Sequence, residues 1–427
     1  MRFSVFPIIN HLINWITHLF YTTKEQMHRT TGNSKTDSSK LDNNDLGEHL
    51  TGVAPSDSTF SDVPMFNFVM SKKGDPSALK QQQLDYFDTF LGPATAVNMF
   101  ATSGFEKTFV SSYNAGEIKG KKTFIGGSFG AFRFCALLGT VLSGVDHVTP
   151  FHKHVIGMTY RKGDTPAVLL PMLDECRNIV ASDEIIESIL ASEQFTLGIV
   201  VARLKPCTAC CGTGVCLKVC LAKAACCNLC CRCSQGNTYS RLLFHTGAEP
   251  PTCCPAGHFS EYHPLNKKNF RHVLQATSMI PGVTPPIKYI EGVGHGSYID
   301  AALSDFQVGF RVADGYRALV PTAVHTTKDI SRTMMDSFGC CHQIPSSLLD
   351  NTCVIHPTAA FRKIVSPSTA DWEENSLPTL NDWFNKEFVK TPEIRQRFWK
   401  TTKELSECHW TFGTRVGLKE NAINADC

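Results

Sequence analysis

One serine in this chain is framed by residues that suit nucleophilic chemistry. Ser128 lies in Ile125-Gly126-Gly127-Ser128-Phe129-Gly130-Ala131-Phe132. β-branched and aromatic residues precede it, and an almost wholly apolar run follows it to Leu142, as a strand, a sharp turn and a buried helix would read. Gly-x-Ser-x-Gly in that setting is a nucleophile elbow. The turn lifts the serine Oγ clear of the backbone, and Gly126, Gly127 and Gly130 remove Cβ atoms that would clash. The N-terminus of the following helix favours negative charge beside the serine. The chemistry such a turn serves is attack on a carbonyl carbon.

A serine hydroxyl is a weak nucleophile and needs a hydrogen-bonded base within about 2.6–3.2 Å. Downstream acids are Asp300, Asp305 and Asp314, and Asp314-Gly315 also reads as a plain turn. The chain holds 16 histidines, of which His325 and His356 follow in the order Ser, Asp, His that an α/β-hydrolase triad requires. A buried serine in a tight turn, with no chemistry, is the competing reading for Ser128.

Positioning Ser128 demands a sheet. The pattern predicts a helix over 77–90, a strand over 97–102, a helix over 108–118 and the elbow strand from 121. Strand, helix and strand at this spacing form a βαβ unit, so the sheet is parallel there. Two helices are expected within 165–192, strands over 195–204 and 239–245, and a helix over 269–277. Short strands follow at 288–290, 297–299, 308–312 and 319–325. Helices are expected at 380–389 and 392–407, the last with Pro392 in its first turn after Thr391.

The 427 residues carry a formal net charge of +2, so no broad basic field points to nucleic acid. Residues 1–21 place Ile8, Ile9, Leu12, Ile13, Trp15, Ile16, Leu19 and Phe20 on a stripe of helical period. Pro7 and interspersed polar residues argue against a membrane span. The reading is an amphipathic helix lying on a membrane surface, with a helix packed on the core or a poorly ordered terminus as the alternatives. Residues 22–62 are polar and read as a disordered linker. Of the 19 cysteines, twelve lie between Cys207 and Cys254, inside a Cys-rich insert read over 205–256, and ten of them, Cys207 to Cys233, fall between the strands 195–204 and 239–245. Zinc ligation, S-acylation with membrane contact, disulfides and a segment without chemistry all remain open for it.

Three motifs in order resemble the patatin-like phospholipase family. Tyr113-Asn114-Ala115-Gly116-Glu117-Ile118 leads to the elbow. Ala276-Thr277-Ser278-Met279-Ile280-Pro281-Gly282-Val283-Thr284-Pro285-Pro286-Ile287 resembles the family's Pro-rich segment. Tyr298-Ile299-Asp300-Ala301-Ala302-Leu303-Ser304-Asp305 resembles its aspartate run, with alanines where the family has glycines. The resemblance covers roughly 97–324. It implies a three-layer α/β/α domain with a mostly parallel sheet, read over 63–330. Outside the resemblance, the helices expected at 380–389 and 392–407 make 331–427 a mostly helical extension packed on that domain. The resemblance implies Ser128 as nucleophile and Asp300 as its base, with neither histidine nor metal nor other cofactor. It places the oxyanion hole at Ser103, Gly104 and Phe105, where Thr102-Ser103-Gly104-Phe105-Glu106-Lys107 departs from the family's glycine run. The implied activity is hydrolysis of lipid acyl esters, with membrane lipid or phospholipid as substrate. A cytoplasmic protein held peripherally on membranes is the expected setting. A triad esterase and an inactive lipid-binding relative are the alternatives.

Overall fold

The computed structural model describes residues 65–69, 84–94, 99–159, 166–205, 239–280, 284–301, 312–321, 351–358, 360–361, 365 and 392–410. The expected N-terminal helix, the linker, the cysteine run from Cys207 to Cys233 and the helix over 380–389 lie outside these residues. The described chain is a mixed α/β fold built on one sheet. Its strands are β1 (Phe66–Val69), β2 (Thr89–Gly92), β3 (Lys122–Gly127), β4 (Phe195–Leu204), β5 (Tyr239–His245), β6 (Glu261–Pro264), β7 (Ile287–Ile290), β8 (Gly294–Ile299), β9 (Ala318–Pro321) and β10 (Thr352–Pro357). The order across the sheet is β1-β10-β9-β2-β3-β4-β5-β6. The run β10-β9-β2-β3-β4 is parallel throughout. β1 and β5 pair antiparallel to their neighbours β10 and β4.

Among the described residues, seven α-helices accompany the sheet: α1 (Gly104–Asn114), α2 (Phe129–Ser143), α3 (Val148–Gly157), α4 (Pro166–Val180), α5 (Asp183–Ala191), α6 (Phe270–Ala276) and α7 (Pro392–His409). Alternation along the strands divides the core in two. Phe90, Phe124, Leu197, Leu242, Leu319 and Cys353 face one side, and all seven helices add buried side chains to that cluster. Leu91, Ile125, Val200, Leu243, Val320 and Val354 face the other, where Cys253, Phe259, Ala301 and Val312 cover them. Among the described residues, helices therefore pack on one face and irregular segments on the other, where the three-layer α/β/α reading expects helices on both. The ring of Phe124 stacks on Phe90 at 4.8 Å and meets Phe134 edge-on at 5.1 Å, which docks α2 onto β2 and β3.

Several expectations are revised. Within the range expected as one helix, 77–90, the described part holds a short 3₁₀ turn (Leu84–Tyr86) and the start of β2. The spacing of Leu84, Phe87, Phe90 and Leu91 imitates helical period, but Phe90 and Leu91 face opposite sides of a sheet buried on both. The expected strand over 97–102 is instead a 3₁₀ turn at Met99–Thr102 leading into α1. β10 lies inside the sheet between β1 and β9, and α7 buries Trp399 and Leu405 in the core. Of the stretch expected as a helical extension, β10 is thus a strand of the same sheet and α7 packs on the same core. No element is expected from the sequence over 352–357, where all six residues of β10 are buried, Thr352 and His356 included. The β4–β5 hairpin that brackets the cysteine run is present, with Leu204 opposite Tyr239. Cys253 and Cys254, read as part of that segment, carry free thiols, and Cys253 is core.

Candidate active site

Ser128 stands between the last residue of β3 and the first of α2, with φ 49° and ψ −130°. It is the one non-glycine residue at positive φ among the described residues. Such a conformation costs about 1–3 kcal/mol and persists only when its surroundings impose it. Glycine at two positions makes the turn possible. A Cβ on Gly130 would sit 2.1 Å from the Gly92 carbonyl oxygen at the end of β2, and one on Gly126 would sit 2.6 Å from the Ala131 nitrogen. Strand β2, helix α2 and the elbow therefore meet backbone to backbone.

Register explains how Asp300 reaches this turn. β4 pairs on one side with β5. Its other side is shared end to end by two strands. β3 runs parallel to it as far as Gly127 opposite Val200, and β8 runs antiparallel with Ile299 opposite Ala202. The carboxyl ends of β3 and β8 point at each other across a gap at the level of Val201. Ser128 is the next residue after one strand and Asp300 the next after the other. The Ser128 hydroxyl donates to Asp300 Oδ2 at 2.8 Å, with both residues buried. The Asp300 amide donates to the Met279 carbonyl at 3.0 Å. Ala301 sits at negative φ and buries its methyl in the second core face, so alanine is no strain where the resemblance expects glycine.

Thr277, which carried no assigned role in the sequence, joins the site. Its Oγ1 accepts the Ser128 amide at 2.8 Å and donates to the Val200 carbonyl at 2.6 Å. It follows directly on α6, and its own amide donates to the Val273 carbonyl at 3.0 Å.

The expected oxyanion residues are placed differently. The Gly104 amide donates to Ser406 Oγ of α7 at 3.0 Å, and the Ser103 amide donates to the Phe100 carbonyl at 3.3 Å. Phe105 buries its ring against Phe90, Phe109 and Trp410, and Lys107 is exposed on α1. The structure joins none of the three to the Ser128–Asp300 pair through these contacts. The strand beside β3 is β2, so the loop that follows it begins at Gly92-Pro93-Ala94. Pro93 has no amide hydrogen to offer. The Phe129 and Gly130 amides open α2 and have no intrahelical acceptor, while the Ala131 amide donates to the Ser128 carbonyl at 3.0 Å.

Under α2 lies a buried ion pair. Arg133 Nε donates to Glu106 Oε1, and Arg133 Nη2 donates to the Thr102 carbonyl at 3.2 Å. Burial raises the Glu106 carboxyl above its ordinary range despite the opposing pull of Arg133. Nearby His152 is fully buried beside Phe100 and Phe151, and burial holds its imidazole well below the usual pKa.

Among the described residues, no group of three or more His, Cys, Asp or Glu is placed to hold a metal ion. No helix among them is long and apolar enough to cross a membrane. No protein-family profile, no curated protein and no solved structure matches the chain.

Proposed function

We propose that the protein is a serine ester hydrolase that works through a Ser128–Asp300 dyad and an acyl-serine intermediate. The observation that carries this reading is the 2.8 Å hydrogen bond from a strained elbow serine to a buried carboxylate. As Ser128 Oγ attacks the ester carbonyl carbon, its proton passes to the Asp300 carboxylate. Collapse of the tetrahedral adduct expels the alcohol, which takes that proton from Asp300. Water then attacks the acyl-serine, gives its proton to Asp300, and Ser128 leaves with it. The developing oxyanion falls to the α2 amides of Phe129 and Gly130, the donors nearest in sequence that the helix leaves without an acceptor.

The three-motif resemblance supplies the rest of the reading: a patatin-like α/β domain, lipid acyl esters as substrates, and action at a membrane surface. A Ser-Asp-His triad is the rival chemistry. His356 lies on β10, three strand positions from β3, which is about 14 Å at the usual inter-strand spacing. That separation favours the dyad; His325 lies outside the described residues. The test is labelling of folded full-length protein with a fluorophosphonate probe, wild type against Ser128→Ala. Labelling of wild type alone supports the reading, and a folded wild type that does not label overturns it.

A further inference from the structure

The end-to-end meeting of β3 and β8 on one edge of β4 leaves a problem that Thr277 solves. Ladder pairing along that edge stops at Val200 and resumes at Ala202. The Val200 carbonyl and the Ser128 amide both lie at the interruption, and both are buried. Unpaired, each would carry the desolvation penalty of a buried polar group. The Thr277 hydroxyl satisfies both, donating to Val200 and accepting from Ser128. One hydroxyl has one proton, so donation to Val200 fixes Thr277 Oγ1 as the acceptor for Ser128. Two residues on, Met279 holds the Asp300 amide.

We infer that Thr277 is a positioning residue for the dyad: its hydroxyl fixes the Ser128 peptide plane and aims Oγ at Asp300. The segment from Thr277 to Met279 then clamps both members of the pair, one through a side chain and one through a carbonyl. A second consequence follows for the oxyanion. The Ser128 amide is occupied, so it is not among the donors that the oxyanion can use. Thr277 touches no reacting atom; it acts through the backbone of Ser128. This inference rests on the serine hydrolase reading.

The experiment compares wild type, Thr277→Val, Thr277→Ala and Thr277→Ser. It measures fluorophosphonate labelling rate, hydrolysis of a p-nitrophenyl ester and thermal unfolding. A misaimed nucleophile costs on the order of 10- to 100-fold. Loss of about that size in kcat is expected for Thr277→Val and Thr277→Ala, with KM within about twofold, because ester binding does not involve the Thr277 hydroxyl. Thr277→Ser keeps the hydroxyl and is expected within about threefold of wild type. Equal labelling of wild type and folded Thr277→Ala overturns the inference and leaves the hydrolase reading intact. So does a Thr277→Ser variant as impaired as Thr277→Ala, or failure of both Thr277→Val and Thr277→Ala to fold. A wild type that does not label removes the hydrolase reading itself.

Discussion

Ser128 Oγ donates a hydrogen bond to Asp300 Oδ2 over 2.8 Å although 172 residues separate them along the chain. Neither residue reaches the other by a local turn. They meet because β3 and β8 run toward each other along one edge of β4, and each of the two residues directly follows one of those strands. In the dyad reading, Asp300→Asn keeps the shape of the side chain and removes the proton acceptor. Ester hydrolysis is expected to fall by on the order of 10³-fold or more, as when the base of an activated serine is lost. Steady-state kinetics on a p-nitrophenyl ester measures it. More than a tenth of wild-type kcat in folded Asp300→Asn would remove Asp300 from the base role.

What the sequence made legible was local. The elbow could be read because its signals lie within about twenty residues: β-branched strand, three glycines, apolar helix. The β4–β5 hairpin and helices α4 and α5 were legible for the same reason, strong periodicity within one element. The misses share a different cause. β2 is a strand because Phe90 stacks on Phe124 and Leu91 faces the opposite core, facts that belong to the sheet and not to 77–90 alone. With that strand misplaced to 97–102, the loop after it was misplaced too, and Ser103, Gly104 and Phe105 were assigned to a turn that α7 covers. Thr277 lies within the Pro-rich segment 276–287, yet its partners lie 149 and 77 residues away. A hydroxyl just past an amphipathic helix carries no local mark of such a task.

Glycine at 130 is a second point of test. A methyl there meets the Gly92 carbonyl oxygen at 2.1 Å, and neither backbone can move without shifting β2 or the elbow. Gly130→Ala is expected to lower stability by about 3 kcal/mol, the upper end of overpacking costs. Gly116, at φ 72° with nothing within 4 Å of an added Cβ, is the control. Gly116→Ala carries the left-handed backbone cost alone, about 1 kcal/mol. Urea unfolding of the two variants measures the difference. Equal midpoints would mean that the close approach of β2 to α2 does not hold in solution.

Acid sensitivity should arise in part from His152. Its imidazole is buried, so its folded pKa is depressed well below 6.5, with the charges of Arg133 and Lys403 acting the same way. The unfolded chain binds that proton near pH 6.5 and the folded chain does not. The stability this group contributes is therefore complete above pH 6.5 and is lost as pH falls toward the folded pKa. His147, His245 and His409 are shifted in the same direction, so the wild type combines all four. His152→Phe removes one titration and an imidazole nitrogen, Nδ1, that has no hydrogen-bond partner, beside the rings of Phe100 and Phe151. Between pH 7.5 and 5.5 its stability should fall less steeply than that of wild type, by up to about 1.4 kcal/mol per pH unit. Chemical unfolding at the two pH values measures the slopes, and parallel slopes would exclude His152 as a contributor.

Arg133 and Glu106 make the last prediction, because their pair anchors the first turns of α2 behind the elbow. Both are buried, and Arg133 also holds the Thr102 carbonyl ahead of α1. Removing one partner of a buried pair strands the other, at a cost of about 3–5 kcal/mol. Arg133→Met leaves Glu106 with its burial and the repulsion from Glu407, both of which raise its pKa, and without the cation that lowers it. A carboxyl with a raised folded pKa contributes most at low pH, where it is protonated in both states, and loses that contribution as pH rises through the folded pKa. The stability deficit of Arg133→Met should therefore be smallest below about pH 4.5 and grow toward pH 7.5. The double variant Arg133→Met/Glu106→Leu removes both charges and should recover most of the loss at pH 7.5. Urea unfolding at pH 4.5 and 7.5 tests both statements. A deficit that is the same at the two pH values would show that the cost of Arg133→Met comes from lost packing and the Thr102 contact, with the charge on Glu106 playing no part.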